Sequence, residues 1–214
     1  YVGHPLAKSL SGEIDDLKLK RDLGISTNKE IIAILPGSRK SEIKHHDKPL
    51  SDFIKKYKKE NPDAEIVLAL NKKSDLLGQL EKISGNIKVI FDSSQKVLSV
   101  CDLAVVASGT ATLEAGILAK PMVVIYKSNF LSNFILSNFF LKTKFIALPN
   151  ILSQEKIIFE LRQSQVIGEQ IYEKVILSLK NKKNISEKLG PIKQSLLVSE
   201  SNKFTKAIQE IFSK

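Results

Sequence analysis

The sequence predicts an α/β fold with a parallel, doubly wound, Rossmann-like sheet, and three observations predict it. Apolar runs at Ile31–Leu35, Glu65–Leu70, 87–91, Leu103–Ala107 and Met122–Tyr126 are short and Val/Ile-rich, as strands buried on both faces are. Stretches with helical spacing separate them, and strands alternating with helices imply a parallel sheet with right-handed crossovers. Two of the runs end in small-residue turns that lead straight into helices, Pro36-Gly37-Ser38-Arg39 and Ser108-Gly109-Thr110. Ligands of open α/β sheets bind at that edge.

Taken in order, residues 1–10 form an extended entry in which His4-Pro5 sets a bend, because the residue before proline avoids the helical region. Residues 13–23 read as a short charged surface helix stopped by Gly24. After the Ile31–Leu35 strand, Gly37 supplies backbone freedom and Arg39 a planar, permanent cation suited to a phosphate or diphosphate, or to a surface ion pair. Residues 42–60 read as a helix with Ile43, Leu50, Phe53, Ile54 and Tyr57 inward and Pro49 as a candidate break. His45 and His46 point about 100° apart on that helix and do not suit one metal ion. The lysines at 55, 56, 58 and 59 form a solvated face. A helix over 72–84 and another over 95–101 complete the alternation.

The pivotal stretch is Ser108-Gly109-Thr110-Ala111-Thr112-Leu113-Glu114-Ala115-Gly116, which continues to Lys120-Pro121 between two strands. Ser108, Gly109 and Thr110 put little bulk at a helix N-terminus, where free N–H groups and the positive dipole end favour an anion. Glu114 follows on the same helix, of about two turns. Its carboxylate suits a pair of sugar hydroxyls, or simply the helix dipole. With Thr110 as N-cap, a capping-box acid would fall at 113, so Glu114 is not explained that way. Gly109 and Gly116 also suit tight turning and close helix–sheet packing.

Residues 128–141 are apolar on almost every side of a helix, with Phe130, Phe134, Phe139 and Phe140 among Leu and Ile and with Lys127, Lys142 and Lys144 flanking. Such a segment is buried against another domain or a second copy, or it lies in a membrane interface with lysines on anionic headgroups. It is shorter than the roughly 20 residues a span needs. Residues 145–152 read as a short strand followed by Pro149-Asn150. Asn150 is a turn or N-cap residue by local chemistry. Residues 172–180 and 196–212 read as amphipathic helices joined across a Lys-rich linker at 181–189.

The chain of 214 residues can bury a good core, and its composition is that of a globular protein. One cysteine, Cys101, beside an apolar run, offers no disulfide and no thiolate cluster and reads as a buried thiol of a reducing compartment. The net charge of +10 draws anions. Because Lys, Asn and Ile are all abundant, this charge selects no partner. Aromatics interleaved with basic residues on a sheet, which nucleic-acid binding needs, are missing from the pattern.

Four stretches together resemble one family, the lipid-A-disaccharide synthases among the GT-B glycosyltransferases. They are Tyr1-Val-Gly-His-Pro-Leu-Ala7, Leu35-Pro-Gly-Ser-Arg-Lys-Ser-Glu-Ile43, Ser108-Gly-Thr-Ala-Thr-Leu-Glu-Ala115 with Lys120-Pro121, and Ala147-Leu-Pro-Asn-Ile-Leu152. The resemblance covers residues 1 to about 165. It implies that 1–165 are a donor-binding, Rossmann-like half, and that 166–214 are C-terminal helices crossing toward an N-terminal acceptor domain. The chain opens on Tyr1 without Met, which together with the resemblance predicts a fragment that holds the donor half-site.

The resemblance also implies the reaction: inverting transfer of diacylglucosamine from UDP-diacylglucosamine to diacylglucosamine 1-phosphate, giving lipid A disaccharide 1-phosphate and UDP. It needs no cofactor or metal. The acylated sugar-phosphate acceptor places the enzyme on the inner face of the cytoplasmic membrane, touched through the Phe130–Phe140 aromatics, with a homodimer contact as the other use of that surface. Gly37, Ser38 and Arg39 would meet the diphosphate, with Arg39 stabilising its departure. Ser108, Gly109 and Thr110 would face the phosphates, Glu114 would hold the ribose, and Asn150 would frame the nucleotide. Glu160 and Gln163, on a following helix, match a further family motif. His4 would lie near the cleft. The base would come from the acceptor domain. Rivals are another UDP-sugar GT-B transferase or epimerase, which the Leu-Pro-Gly-Ser-Arg and Leu-Pro-Asn pair disfavours, and a non-catalytic nucleotide-binding domain.

Overall fold

A computed structural model describes residues 15–72, 78–128 and 144–197. Six strands make one parallel sheet: β1 (Ile31–Leu35), β2 (Glu65–Leu70), β3 (Lys88–Phe91), β4 (Leu103–Ala107), β5 (Met122–Tyr126) and β6 (Phe159–Arg162), in the order β3-β2-β1-β4-β5-β6. The chain winds outward from β1 to β3, returns to β4 beside β1, and winds the other way. The sheet order therefore reverses between β1 and β4, and a crevice opens where their exits diverge.

The alternation of side chains builds the two cores. Ile32, Ile34, Ile66, Leu68, Val105, Val123 and Ile125 face one side. They pack under α2 (Lys40–Glu60), through Ile43, Leu50, Phe53 and Tyr57, and under α7 (Gly168–Lys180), through Ile171 and Val175. Ala33, Leu35, Val67, Ala69, Val106 and Val124 face the other side. There they meet α4 (Ser94–Val100), α5 (Thr110–Ile117) and α8 (Lys182–Leu197).

Local chemistry explains most boundaries. Helix α1 (Asp16–Asp22) starts where the Asp15 carboxylate accepts the Lys18 N–H, and ends at Gly24, whose φ is +62°. The expected break at Pro49 does not occur: α2 runs through it. An interior proline costs about 3 kcal/mol, while each large apolar side chain buried from α2 returns about 1.5–3 kcal/mol. Asp47 on α2 accepts the N–H groups of Gln79 and Leu80 and so starts α3 (Gly78–Ile83). Cys101 is buried, and loss of solvent pushes its thiol pKa up to about 12.

Three expectations are corrected. Residues 145–148 form no strand. Glu160 takes the Ile146 and Ala147 N–H groups that a ladder would use, and helix α6 (Leu148–Ser153) follows with proline in its first turn. Glu160 itself is not helical: it lies in β6, an edge strand paired with β5, and Gln163 opens the 3₁₀ turn after it. The region 181–189 is not a linker but the first half of α8, because Ile185, Leu189 and Ile192 share one buried stripe among the lysines. Helices α7 and α8 thus complete the two cores of the sheet, on either side of it. Gly116 of α5 meets α6 closely; a Cβ there would lie 2.9 Å from Pro149.

The Phe-rich segment 129–143, the entry segment with His4, and residues 198–214, where the crossing helix was expected, lie outside the described residues. Among the described residues, no helix is long and apolar enough to cross a membrane.

Candidate active site at the sheet's carboxyl edge

The exits of β1 and β4 frame a cleft of about 400 Å³. Gly37, Ser38 and Arg39 form one wall; Ser108, Gly109 and Thr110 form the facing wall; Glu114 lies within it. Asn71 and Ser94, from the exits of β2 and β3, complete the lining. A second compartment of about 670 Å³ shares Arg39, Ser108, Gly109 and Thr110 and extends toward Tyr126, Lys127, Ile146 and Ile151.

The β1 turn needs its glycine. Gly37 has φ +124°, and a Cβ there would lie 2.7 Å from the Glu42 carboxylate. Glu42 folds back over the turn, where its Oε2 accepts the N–H groups of Ser38 and Arg39 at 3.1 and 3.3 Å. Its other oxygen lies 3.6 Å from the Arg39 guanidinium, whose side chain is 81% exposed. Arg39 thus lines the cleft with, among the described residues, a loose and solvated ion-pair partner.

The β4 turn is different. Gly109 is the N-cap of α5 and no side chain caps that helix. Its backbone is extended, so the turn does not require glycine, and a Cβ there would meet nothing within 4 Å among the described residues. Thr112 spends its hydroxyl on the Gly109 carbonyl at 2.7 Å. The N–H groups of Thr110 and Ala111 have no acceptor among the described residues. These are the unsatisfied donors of a helix start, aimed into open volume at the positive end of the dipole.

Glu114 is half-buried. Burial raises its pKa above the ordinary carboxylate value, and a hydrogen bond from the Gln95 side chain opposes the rise. Gln95 stands at the start of α4, so two helix starts meet around this carboxylate. Among the described residues no cluster of three or more His, Cys, Asp or Glu could hold a metal.

Two expected site residues do not face the cleft. Asn150 is fully buried and all of its amide is used. Its Nδ2 donates to the Ile158 carbonyl and the Glu160 carboxylate, and its Oδ1 accepts from Ile157 and Ile158. With these bonds it pins α6 to the start of β6. Gln163 holds Ser128, with contacts of 3.4 Å to the Ser128 N–H and hydroxyl, and lines neither compartment. Reasoning from the sequence missed Asn71, Ser94 and Gln95, which follow simply from the rule that every strand exit on this edge contributes. It also missed His46, a buried imidazole bonded to the Pro36 carbonyl and the Lys127 N–H. No sequence signal links those three positions.

Comparison with known proteins agrees with the fold. Among solved structures, the UDP-GlcNAc 2-epimerase from Neisseria meningitidis bound to UDP-GlcNAc superposes with a TM-score of 0.60 at 15% identity, over 92% of this chain and 53% of the other. WaaG, a glycosyltransferase involved in lipopolysaccharide biosynthesis, superposes with a TM-score of 0.58 at 11% identity, over 92% of this chain and 51% of the other. At such identities the likeness shows the fold, the Rossmann-like half of the GT-B architecture. In sequence, the chain is 31% identical to the lipid-A-disaccharide synthase of Hahella chejuensis, over all of this chain and 56% of that protein. It is 33% identical to lipid-A-disaccharide synthase 1 of Legionella pneumophila subsp. pneumophila, over 94% of this chain and 54% of that protein. The chain thus spans about half the length of these curated relatives. A family model described as lipid-A-disaccharide synthetase matches residues 1–212, and the chain belongs to the lipid-A-disaccharide synthetase family.

Proposed function

We propose that this chain carries the donor half-site of a lipid-A-disaccharide synthase. The whole enzyme transfers diacylglucosamine from UDP-diacylglucosamine to diacylglucosamine 1-phosphate, with inversion, and releases lipid A disaccharide 1-phosphate and UDP. The observation that carries this reading is the uncapped start of α5 facing the exposed Arg39 across the cleft where the sheet order reverses. Free N–H donors and a permanent cation converge on one volume, as a departing diphosphate requires. Glu114, within hydrogen-bonding reach of Gln95, offers the ribose hydroxyls a carboxylate from the cleft floor. Gly37 and Ser38 shape the Arg39 wall; Ser108, Gly109 and Thr110 shape the phosphate wall.

The general base that deprotonates the acceptor hydroxyl belongs to the part of the enzyme N-terminal to this chain, so the chain alone binds donor without turning over. Acylated substrates place the reaction at the inner face of the cytoplasmic membrane. The phenylalanines at 130, 134, 139 and 140, with their flanking lysines, supply the chemistry for that contact.

Calorimetric titration with UDP tests the reading. The chain binds UDP saturably. Arg39→Ala and Glu114→Ala each weaken binding about tenfold, one charge-assisted hydrogen bond's worth. Because Arg39 is solvent-exposed, its loss leaves the unfolding temperature unchanged. A folded chain that does not bind UDP overturns the reading.

A further inference from the structure

We propose that His46 is a positioning residue that sets the width of the cleft: it ties the exits of β1 and β5 together across the end of β4, and the tie holds only while its imidazole is neutral. The nucleotide identity of the ligand rests on the donor reading above; the tie itself does not.

The geometry is specific. His46 sits on α2 and is 2% exposed. Its Nδ1 lies 2.7 Å from the Pro36 carbonyl, and its Nε2 accepts the Lys127 N–H at 3.2 Å. A carbonyl can only accept and an N–H can only donate, so these two partners select the neutral tautomer with the proton on Nδ1. In the sheet β1 and β5 each pair with β4 and not with one another. The β1–β4 register ends at Leu35, immediately before Pro36. Beyond that rung the wall bearing Arg39 is held to the wall bearing Tyr126 and Lys127 by this imidazole. Both walls line the larger compartment, and His46 lines it from behind.

Protonation breaks the arrangement. A proton on Nε2 would face the Lys127 N–H, donor against donor, and would put a second charge beside Lys127 in a site with little water. The groups acting on the ring are Glu42 and His45 from its own helix and Lys127 from the β5 exit. Burial, with His45 and Lys127 acting in the same direction, outweighs the Pro36 hydrogen bond and Glu42 and holds the His46 pKa below the ordinary histidine value. Acidification therefore releases the Lys127 side, and the cleft loses its spacing before the fold is lost.

Two variants separate positioning from mere packing. His46→Gln keeps an acceptor at the reach of Nε2 and does not titrate. His46→Asn keeps a donor toward Pro36 and loses the Lys127 contact. UDP affinity of the wild-type 214-residue chain should fall about fivefold more than that of His46→Gln as the pH is lowered from about 7.5 through the His46 imidazole midpoint, one neutral hydrogen bond's worth. Protonation of UDP itself is common to every chain and cancels in the comparison. His46→Asn should bind about fivefold more weakly than His46→Gln at the higher pH and show the same flat difference at the lower one. Independently of any ligand, the Lys127 amide resonance should shift with the midpoint of the His46 imidazole. Superposable pH profiles for wild type and His46→Gln, or a Lys127 amide indifferent to His46, overturn the proposal. If the folded wild type does not bind UDP at all, the donor reading falls and the Lys127 titration alone decides the tie.

Discussion

The two turns that face each other across the cleft look alike in sequence and are opposite in state. Both leave a central parallel strand, both contain glycine followed by small or polar residues, and both start a helix. At the β1 turn the chain supplies its own anion: Glu42 satisfies the N–H groups of Ser38 and Arg39. At the β4 turn nothing among the described residues does, and the donors of Thr110 and Ala111 face open volume. A glycine in a strand–turn–helix unit is therefore not evidence of an anion site by itself. The backbone donors that a ligand can reach are at α5, and the β1 side contributes a side chain, Arg39.

Exchanging the glycines breaks this comparison most sharply. Gly37→Val must hold a branched residue at φ +124° with its Cβ on the Glu42 carboxylate. Strain and overpacking together cost about 3 kcal/mol, visible as a lower unfolding midpoint in urea. Gly109→Val meets neither obstacle, because its backbone is extended and its Cβ direction is empty among the described residues. It should unfold like the wild type and lose UDP affinity by more than about 30-fold, since the isopropyl group fills the volume in front of the α5 donors. Equal stability losses for the two variants would mean that the turns do not differ as described.

The comparison also marks what could be known from sequence. Strands β1, β2, β4 and β5 were legible to the residue, since unbroken apolar runs allow little else in a parallel sheet. The edge strand β6 was not: only Phe159 and Leu161 point toward the core, and Glu-Leu-Arg reads equally well as helix. Helix α8 was hidden because its lysines obscured the stripe of Ile185, Leu189 and Ile192. Within the site, the residues on the two turns came together as their motifs implied. Asn150 did not, because the groups that use up its amide, Ile157, Ile158 and Glu160, become its neighbours only after β6 docks on β5. Local chemistry shows what a polar side chain could bind; only the packing shows what it is already holding.

A smaller effect sharpens the β1 side. Glu42→Gln keeps an oxygen for the Ser38 and Arg39 N–H groups and removes a negative charge from the cleft lining. Stability should fall by under about 1 kcal/mol, the scale of a cap. UDP should bind about threefold more tightly, because one like charge no longer opposes the diphosphate through partly screened solvent. A loss of affinity instead would place Glu42 in contact with the ligand.

The smallest effect concerns Glu114, and its sign is set by burial. Desolvation raises the folded-state pKa of Glu114 above its unfolded value, so the folded chain prefers the protonated acid. Such a group adds stability below the unfolded pKa, and loses it as pH rises through the folded pKa. At neutral pH the ionised carboxylate is therefore a net cost that the fold carries, as sites retained for function do. Glu114→Gln removes that cost and still accepts from Gln95. It should unfold at a higher temperature than wild type at pH 7, and the gap should close as pH falls below about 4.5, the ordinary glutamate range. UDP affinity should move the other way, weaker in the variant at pH 7, because an amide oxygen is a poorer acceptor for ribose hydroxyls than a carboxylate. A variant that is both less stable and weaker in binding would make Glu114 a structural partner of Gln95, and would leave the α5 turn with Arg39 as the whole of the site.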